Sequence, residues 1–347
     1  MLKKQQRLSP QLLLFVLSVF PFLTFFYMYS VHMHGGRFIE TFTWVFGHWP
    51  FVLQIIPPIF DPVAWKVTLV VVFLQLLFQT VLPHDEVTVL TPTGEQKKMV
   101  NSFSSLILLT LLYMLGVGLQ VYNPDIIVTH FNSIVASMAI LSILIFSILY
   151  FSYYFGENYN ITTLPELCFG VELSPTFLDI DLKHFIRFRI SFSLWTLFVV
   201  SAIASQFSSG KVLKSLVCVA FLQLLYIFRR AWQEQLEQNS LDGMTHNFGV
   251  LRLWTDMVWM PVMNTSPIVI ILHAGRSISL FPCLLFTLIG VVAILTAGAI
   301  DSQKFEFRKA KGTLKIKGVD AFFITAKYKT DAGDSSFNLL LGIEFYF

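Results

Sequence analysis

Apolar residues in this chain gather into runs close to the ~20 residues that a hydrocarbon core requires, and polar stretches between the runs hold most of the charge. Eight runs predict membrane-spanning helices at 11–29, 67–83, 104–121, 133–155, 190–207, 212–228, 256–273 and 281–300. The first follows a basic head, MLKKQQRLSP, and ends in aromatics rather than small residues, so it reads as a retained span and not a cleaved leader. Residues 38–63 are apolar and aromatic but are interrupted by His48, Pro50, Pro57 and Pro58. They predict a re-entrant or interfacial segment, because irregular backbone at membrane depth needs protein cover. Beyond Asp301 the character changes, and GTLKIKGVDAFFITAKY alternates as a strand does. The predicted architecture is an all-α, polytopic helical bundle of about eight spans over residues 1–300. A short, β-containing cytosolic cap follows over 301–347.

Composition strengthens that picture. Of 347 residues, 55% are hydrophobic and 13% are charged, against roughly a quarter charged in a soluble domain. The 36 Phe are spread along the chain, so the apolar content belongs to spans and not to one soluble core. With a cytosolic amino terminus and eight crossings, 19 of the 24 Lys and Arg fall on the cytosolic side, as the positive-inside rule expects. Cys168, Cys218 and Cys283 are far apart and lack metal spacing, so they read as free thiols. No metal site and no nucleic-acid partner is expected; membrane lipid is. The glycosylation-like triplets at Asn160 and Asn264 are discounted, since one falls on the cytosolic side and the other inside a span.

Ionisable groups at membrane depth raise a functional hypothesis, and they concentrate in two places. YIFRRAWQEQLEQNSLDGMTHNFGVLRLWTDMVWMP, from Tyr226 to Pro261, interleaves Glu234, Glu237, Asp242, His246 and Asp256 with Trp232, Phe248, Trp254 and Trp259. A solvated connector with interfacial tryptophans explains most of it. Asp256 stands apart, at the mouth of an apolar run, where a carboxylate must be paired or protonated. The second place, LPELCFGVELSPTFLDIDLKHFIRFRISFSLW, sets Glu166, Glu172, Asp179, Asp181, Lys183, Arg187 and Arg189 just before the fifth span. Glycines fall in no nucleotide-cradling pattern. Lys304 and Arg308 share a face if the last helix continues to Lys309. Two cations so placed suit phosphate groups or anionic lipid.

These stretches resemble the sterol reductase family of the endoplasmic reticulum. GVELSPTFLDIDLKHF is similar to the family's Gly-x-Glu-Leu-Asn-Pro signature followed by Asp-x-Lys-x-Phe, matching at Gly170, Glu172, Leu173, Pro175, Asp181, Lys183 and Phe185. Residues 223–261 run parallel to the family at positions that include Tyr226, Trp232, Glu234, Asp242, Phe248, Gly249, Asp256 and Trp259. DSQKFEFRK resembles its Gln-Lys-x-x-Phe-Arg element. TPTGEQKKMVN, with Gly312, Gly318 and Tyr328, resembles the delta-7 branch.

The resemblance implies a multi-pass protein of the endoplasmic reticulum membrane that reduces a sterol ring double bond at delta-7 with NADPH, in sterol biosynthesis. It implies that Glu234 or Asp256 donates the proton and that Lys304, Arg308 and Leu340 contact the cofactor. Tyr226, Trp232 and Trp259 would face the sterol. The chain departs from the family at Ser174, Thr176, Ile190, Ser191, Arg229, Thr245, His246 and Phe345, and the family's last two spans are expected beyond Phe347. Two alternatives follow: a catalytically inactive sterol-binding or scaffold protein, and an incomplete form of the enzyme.

Overall fold

In a computed structural model the described residues are 9–48, 53, 55–91, 94–155, 164–177, 180–240, 242–243, 246–310, 312–316, 318–330 and 333–340. Thr245, Phe345 and the triplet at Asn160 lie outside them. Local chemistry sets the helix starts. Helix α1 (Pro10–His34) begins at the Ser9 side chain, which accepts from the Leu12 amide, and closes on Gly35 at φ 61°. After the short α2 (Phe38–Gly47), α3 (Pro62–Val81) starts where Asp61 caps the Val63 amide with Pro62 in the first turn.

The other long helices are α4 (Ser102–Gly118), α5 (Phe131–Phe155), α7 (Leu182–Ser208), α8 (Lys214–Trp232), α10 (Val250–Ala274) and α11 (Leu280–Lys309), with α6 (Leu164–Phe169) and α9 (Glu234–Gln238) between them. Seven are long and apolar enough to cross a membrane, and α4 is an eighth apolar helix of 17 residues. All eight predicted spans are helices, and the fold is a polytopic membrane bundle. Within 38–63, the segment read as re-entrant or interfacial, Phe38–Gly47 form α2 and Pro62 opens α3.

Among the edges that differ from the sequence reading, two bear on the charged residues. The fifth span begins at Leu182 instead of 190, and the seventh at Val250 instead of 256. Both helices carry a π-turn near their charged end, Ile186–Ser191 and Thr255–Trp259. Charged residues that hydropathy places in connectors are therefore helical, and their side chains turn inward onto partners. Such bulges re-aim side chains and are common at functional sites.

A hairpin of β1 (Asp85–Thr91) and β2 (Gly94–Val100) pairs Asp85 with Val100 through Thr91 with Gly94. The sequence reading took residues 91–101 only as a motif and assigned no strand to this segment. A two-residue ladder of β3 (Thr176–Phe177) and β4 (Ile180–Asp181) precedes α7. The tail holds β5 (Lys315–Ile316), β6 (Val319–Asp320), β7 (Phe323–Thr330) and β8 (Gly333–Leu340) in two antiparallel ladders. Phe323 in β7 rests on buried Phe307 of α11, with ring centroids 5.3 Å apart.

Helix α7 is the centre of the bundle. Of its apolar window 78% is buried, against 11% for α11. Connections segregate to two ends. At one, Lys98 meets Asp181, Ser102 meets Glu234, and Arg230 meets Asp301. At the other, Asp61 meets His130, Lys214 meets Ser277, and Tyr113 meets the Pro124 carbonyl. This is the alternation that up-and-down spans produce, and it brings together the segments that the Lys and Arg count assigns to the cytosol.

Candidate functional site

At the charge-rich end, the first turns of α7 face α9 and the turn before α10. Burial of charge there is expensive unless partners are close, and the partners are supplied from four elements. Asp242 is the hub. It accepts from Arg187 Nη1 at 3.1 Å, from Arg252 Nη1 at 2.7 Å and pairs with His246 Nδ1 at 2.6 Å. Burial alone would raise its carboxyl; the His246 hydrogen bond and the two guanidinium charges outweigh this and hold it far below the usual range. Arg252 Nε continues the chain to Asp256 at 2.7 Å. Arg187 also reaches Glu237 at 2.8 Å, and Glu237 holds Arg230, which bridges to Asp301 on α11 at 2.9 Å. Lys183, from the signature motif, donates to the carbonyls of Gly243 and His246 at 2.9 and 2.7 Å and so clamps the turn.

The same motif explains two glycines. Gly170 has φ +86°, and a Cβ on it would lie 2.4 Å from the Phe248 carbonyl carbon. A Cβ on Gly249 would lie 2.3 Å from the Gly170 nitrogen. The signature turn and the Phe248-Gly249 turn therefore meet backbone to backbone, sealed by Phe248 N–H donating to Glu172 O at 2.9 Å.

Beneath this network lies Glu234, 2% exposed. One oxygen accepts from the Ser102 amide at 2.9 Å and the Ser102 hydroxyl; the other faces His184 Nε2. Burial alone would raise this carboxyl, but the His184 charge and hydrogen bond, the Ser102 hydrogen bond and the Arg189 charge together hold it below the ordinary value. Arg189 is completely buried, donates to Asn101, and leaves Nε and Nη1 without partners among the described residues. Asp181 sits alongside. Burial alone would raise it, but Lys98, which donates from 2.5 Å, and His184 keep it low. A small cleft of about 30 Å³ opens here, and its walls include Lys98, Lys183, His184, Arg187, Gln238 and Arg252.

Glu234 and Asp256 are thus both buried and belong to neighbouring ion-pair systems. The expected cofactor residues lie to one side. Lys304 and Arg308 are one turn apart on α11, which is helical to Lys309 as the sequence reading required. Arg308 Nη1 is buried with no partner among the described residues, the state of a donor that suits a phosphate oxygen. Leu340 closes β8, opposite Phe323. The aromatic trio is not gathered into one wall. Tyr226 packs on Trp195, Trp232 on Phe103, and Trp259 on Phe20 and Tyr27. The sequence reading passed over His184, Ser102 and Gln238. One hint was available: His184 lies inside the signature motif.

A profile of the ergosterol biosynthesis ERG4/ERG24 family matches residues 12–330. The chain is 24% identical over 330 residues to a 7-dehydrocholesterol reductase of Arabidopsis thaliana, covering 92% of this chain and 76% of that relative. It is 24% identical to a probable 7-dehydrocholesterol reductase of Acanthamoeba polyphaga mimivirus, over 73% of this chain and 58% of that one. It is 31% identical over 164 residues to the delta(14)-sterol reductase ERG24 of Saccharomyces cerevisiae, covering 45% of this chain and 35% of that relative.

Proposed function

The chain belongs to the ergosterol biosynthesis ERG4/ERG24 family, and from that premise we propose that it reduces a ring double bond of a sterol, at delta-7, with NADPH in the endoplasmic reticulum membrane. The observation that carries this reading is the buried Glu234, surrounded by donors at the end of the bundle where α11 brings Lys304 and Arg308.

An isolated alkene has no carbonyl to polarise, so one carbon must take a proton for the other to accept hydride. NADPH, when bound, supplies that hydride. Lys304 and Arg308 would hold its phosphates, and the unpartnered Arg308 Nη1 fits that task. Leu340, at the end of β8 beside the tail that rests on α11, would lie against its apolar part. Glu234 is the favoured acid. Its two oxygens are fixed by Ser102 and His184, and an apolar sterol laid over it removes water and favours the protonated form. Asp256 is the second candidate. Its partner Arg252 cannot give up a proton, so we assign Asp256 to holding the Arg252–Asp242 network. Tyr226, Trp232 and Trp259 then offer separate faces to the flat rings or to lipid.

A sterol-binding protein without turnover is favoured by one observation, the ionic pairing of Glu234 with His184. Membranes containing the protein, supplied with NADPH and delta-7 or delta-14 sterols, discriminate. The reading expects a reduced product from the delta-7 substrate. Sterol crosslinking without product, from either substrate, would sink it.

A further inference from the structure

His184 and Gln238 flank Glu234, and the reductase reading gives neither of them a part in the proton's path. His184 Nε2 faces two groups at once, Glu234 Oε1 and, at 2.8 Å, the amide nitrogen of Gln238. One ring nitrogen cannot donate to the carboxylate and accept from the amide in the same state. With a proton on Nε2 the ring donates to Glu234, and Gln238 is satisfied by turning toward the ring its Oε1, which has no partner as placed. With the proton on Glu234 Oε1 instead, bare Nε2 is an acceptor, and the amide matches it as it stands. Both protonation states therefore have a bonded arrangement, related by an amide flip.

Position adds direction. The Glu234 side chain is 3% exposed and held from behind by Ser102. His184 lines the cleft and Glu234 does not, so a proton from the cleft meets the ring before the carboxylate. The charges around the ring are matched by other partners. Lys98 pairs with Asp181, Arg187 with Glu237, and Arg252 with Asp242. Lys183 is spent on backbone carbonyls, and Arg189 stands behind, beside Glu234. The pair that remains free to exchange a proton is His184 with Glu234.

We propose that His184 relays protons from the cleft to Glu234. The Nε2–H bond of the imidazolium breaks as a Glu234 Oε1–H bond forms, which leaves the Nδ1–H ring; its open nitrogen, Nε2, regains a proton when the ring turns to water in the cleft. Glu234 would then give its proton to one alkene carbon, the other being the one that takes the hydride NADPH would supply when bound. The inference deepens the reductase reading and rests on it. His184 is a relay and positioning residue, not a group that touches sterol.

The test uses the full chain in membranes, with kcat, KM and infrared spectra followed against pH. Relay predicts that H184Q lowers kcat by about a hundredfold with both KM values unchanged, and removes the alkaline limb of the rate profile. Added imidazole should restore H184A. The carboxylic acid band of Glu234, identified by its loss in E234Q, should appear at a shifted pH in H184Q. Wild-type kcat and profile in H184Q overturn the relay. So does a failure of imidazole rescue together with an unshifted band. If the wild type shows no turnover with any sterol, the reductase reading fails; the infrared band then decides the relay alone, and an unshifted band overturns it.

Discussion

Gly170 and Gly249 show how a motif residue earns its identity from geometry. A Cβ on Gly170 would meet the Phe248 carbonyl carbon at 2.4 Å and one on Gly249 the Gly170 nitrogen at 2.3 Å, and Gly170 also sits at φ +86°. Gly249→Ala should therefore lower stability by about 2 kcal/mol, from overpacking against backbone atoms; a thermal shift in detergent or nanodiscs, with no change in midpoint, would contradict it. Gly170, Phe248 and Gly249 were legible in sequence as motif positions, but the reason for them was not, because 79 positions separate the two glycines. Glu234 was legible as a buried carboxylate candidate. His184 was not, since a single ring between Lys183 and Phe185 carries no sign of a partner 50 positions away. Glu234→Gln should reduce kcat by about a hundredfold or more while NADPH binding is retained; unchanged turnover would remove Glu234 from the chemistry.

Among elements, α7 and α10 were read too short because charge density was taken as a loop signal. The π-turns at Ile186–Ser191 and Thr255–Trp259 keep those charges helical, and ion pairing with Asp242 and Glu237 makes their burial tolerable. Asp242→Asn should then destabilise the bundle by about 1.5–3 kcal/mol, the range for a hydrogen bond to a charged group, read as a lowered unfolding midpoint. Acid should act on the same network. Asp181, Glu234 and Asp242 all titrate below their ordinary values in the folded chain, so their contribution is complete above the unfolded values of about 3.9 to 4.3. It is lost as pH falls through the folded values. Thermal midpoints should stay level from neutral pH to about 5 and drop below about 4; a midpoint that fell between neutral pH and 5 would contradict the assignment. Helix α11 was read as a span only to residue 300, and its continuation to Lys309 meets the condition on which Lys304 and Arg308 share a face. Lys304→Ala and Arg308→Ala should each raise the KM for NADPH about tenfold, the equivalent of ~1.4 kcal/mol, with little change in kcat.

For the whole molecule, eight apolar runs became eight helices because length and hydropathy are local properties, readable without knowing any contact. The hairpin of β1 and β2 was missed for the same reason. Its alternation in DEVTVLT is short, polar and weaker than the spans around it, and its position is fixed by Lys98 reaching Asp181. The two-ended arrangement matters most for function, since it gathers the signature motif, Glu234, the Asp242 hub and the end of α11 into one region. The central claim is that this region adds hydride and a proton across a sterol double bond. Membranes holding the protein should be given 7-dehydrocholesterol with 4-dideuterated NADPH in ordinary water, and with ordinary NADPH in heavy water, and the product weighed by mass spectrometry. The account predicts a single deuterium from the cofactor in the first case and a single deuterium from solvent in the second, neither above background in Glu234→Gln. No labelled product beyond a vector control, in either solvent, would contradict it.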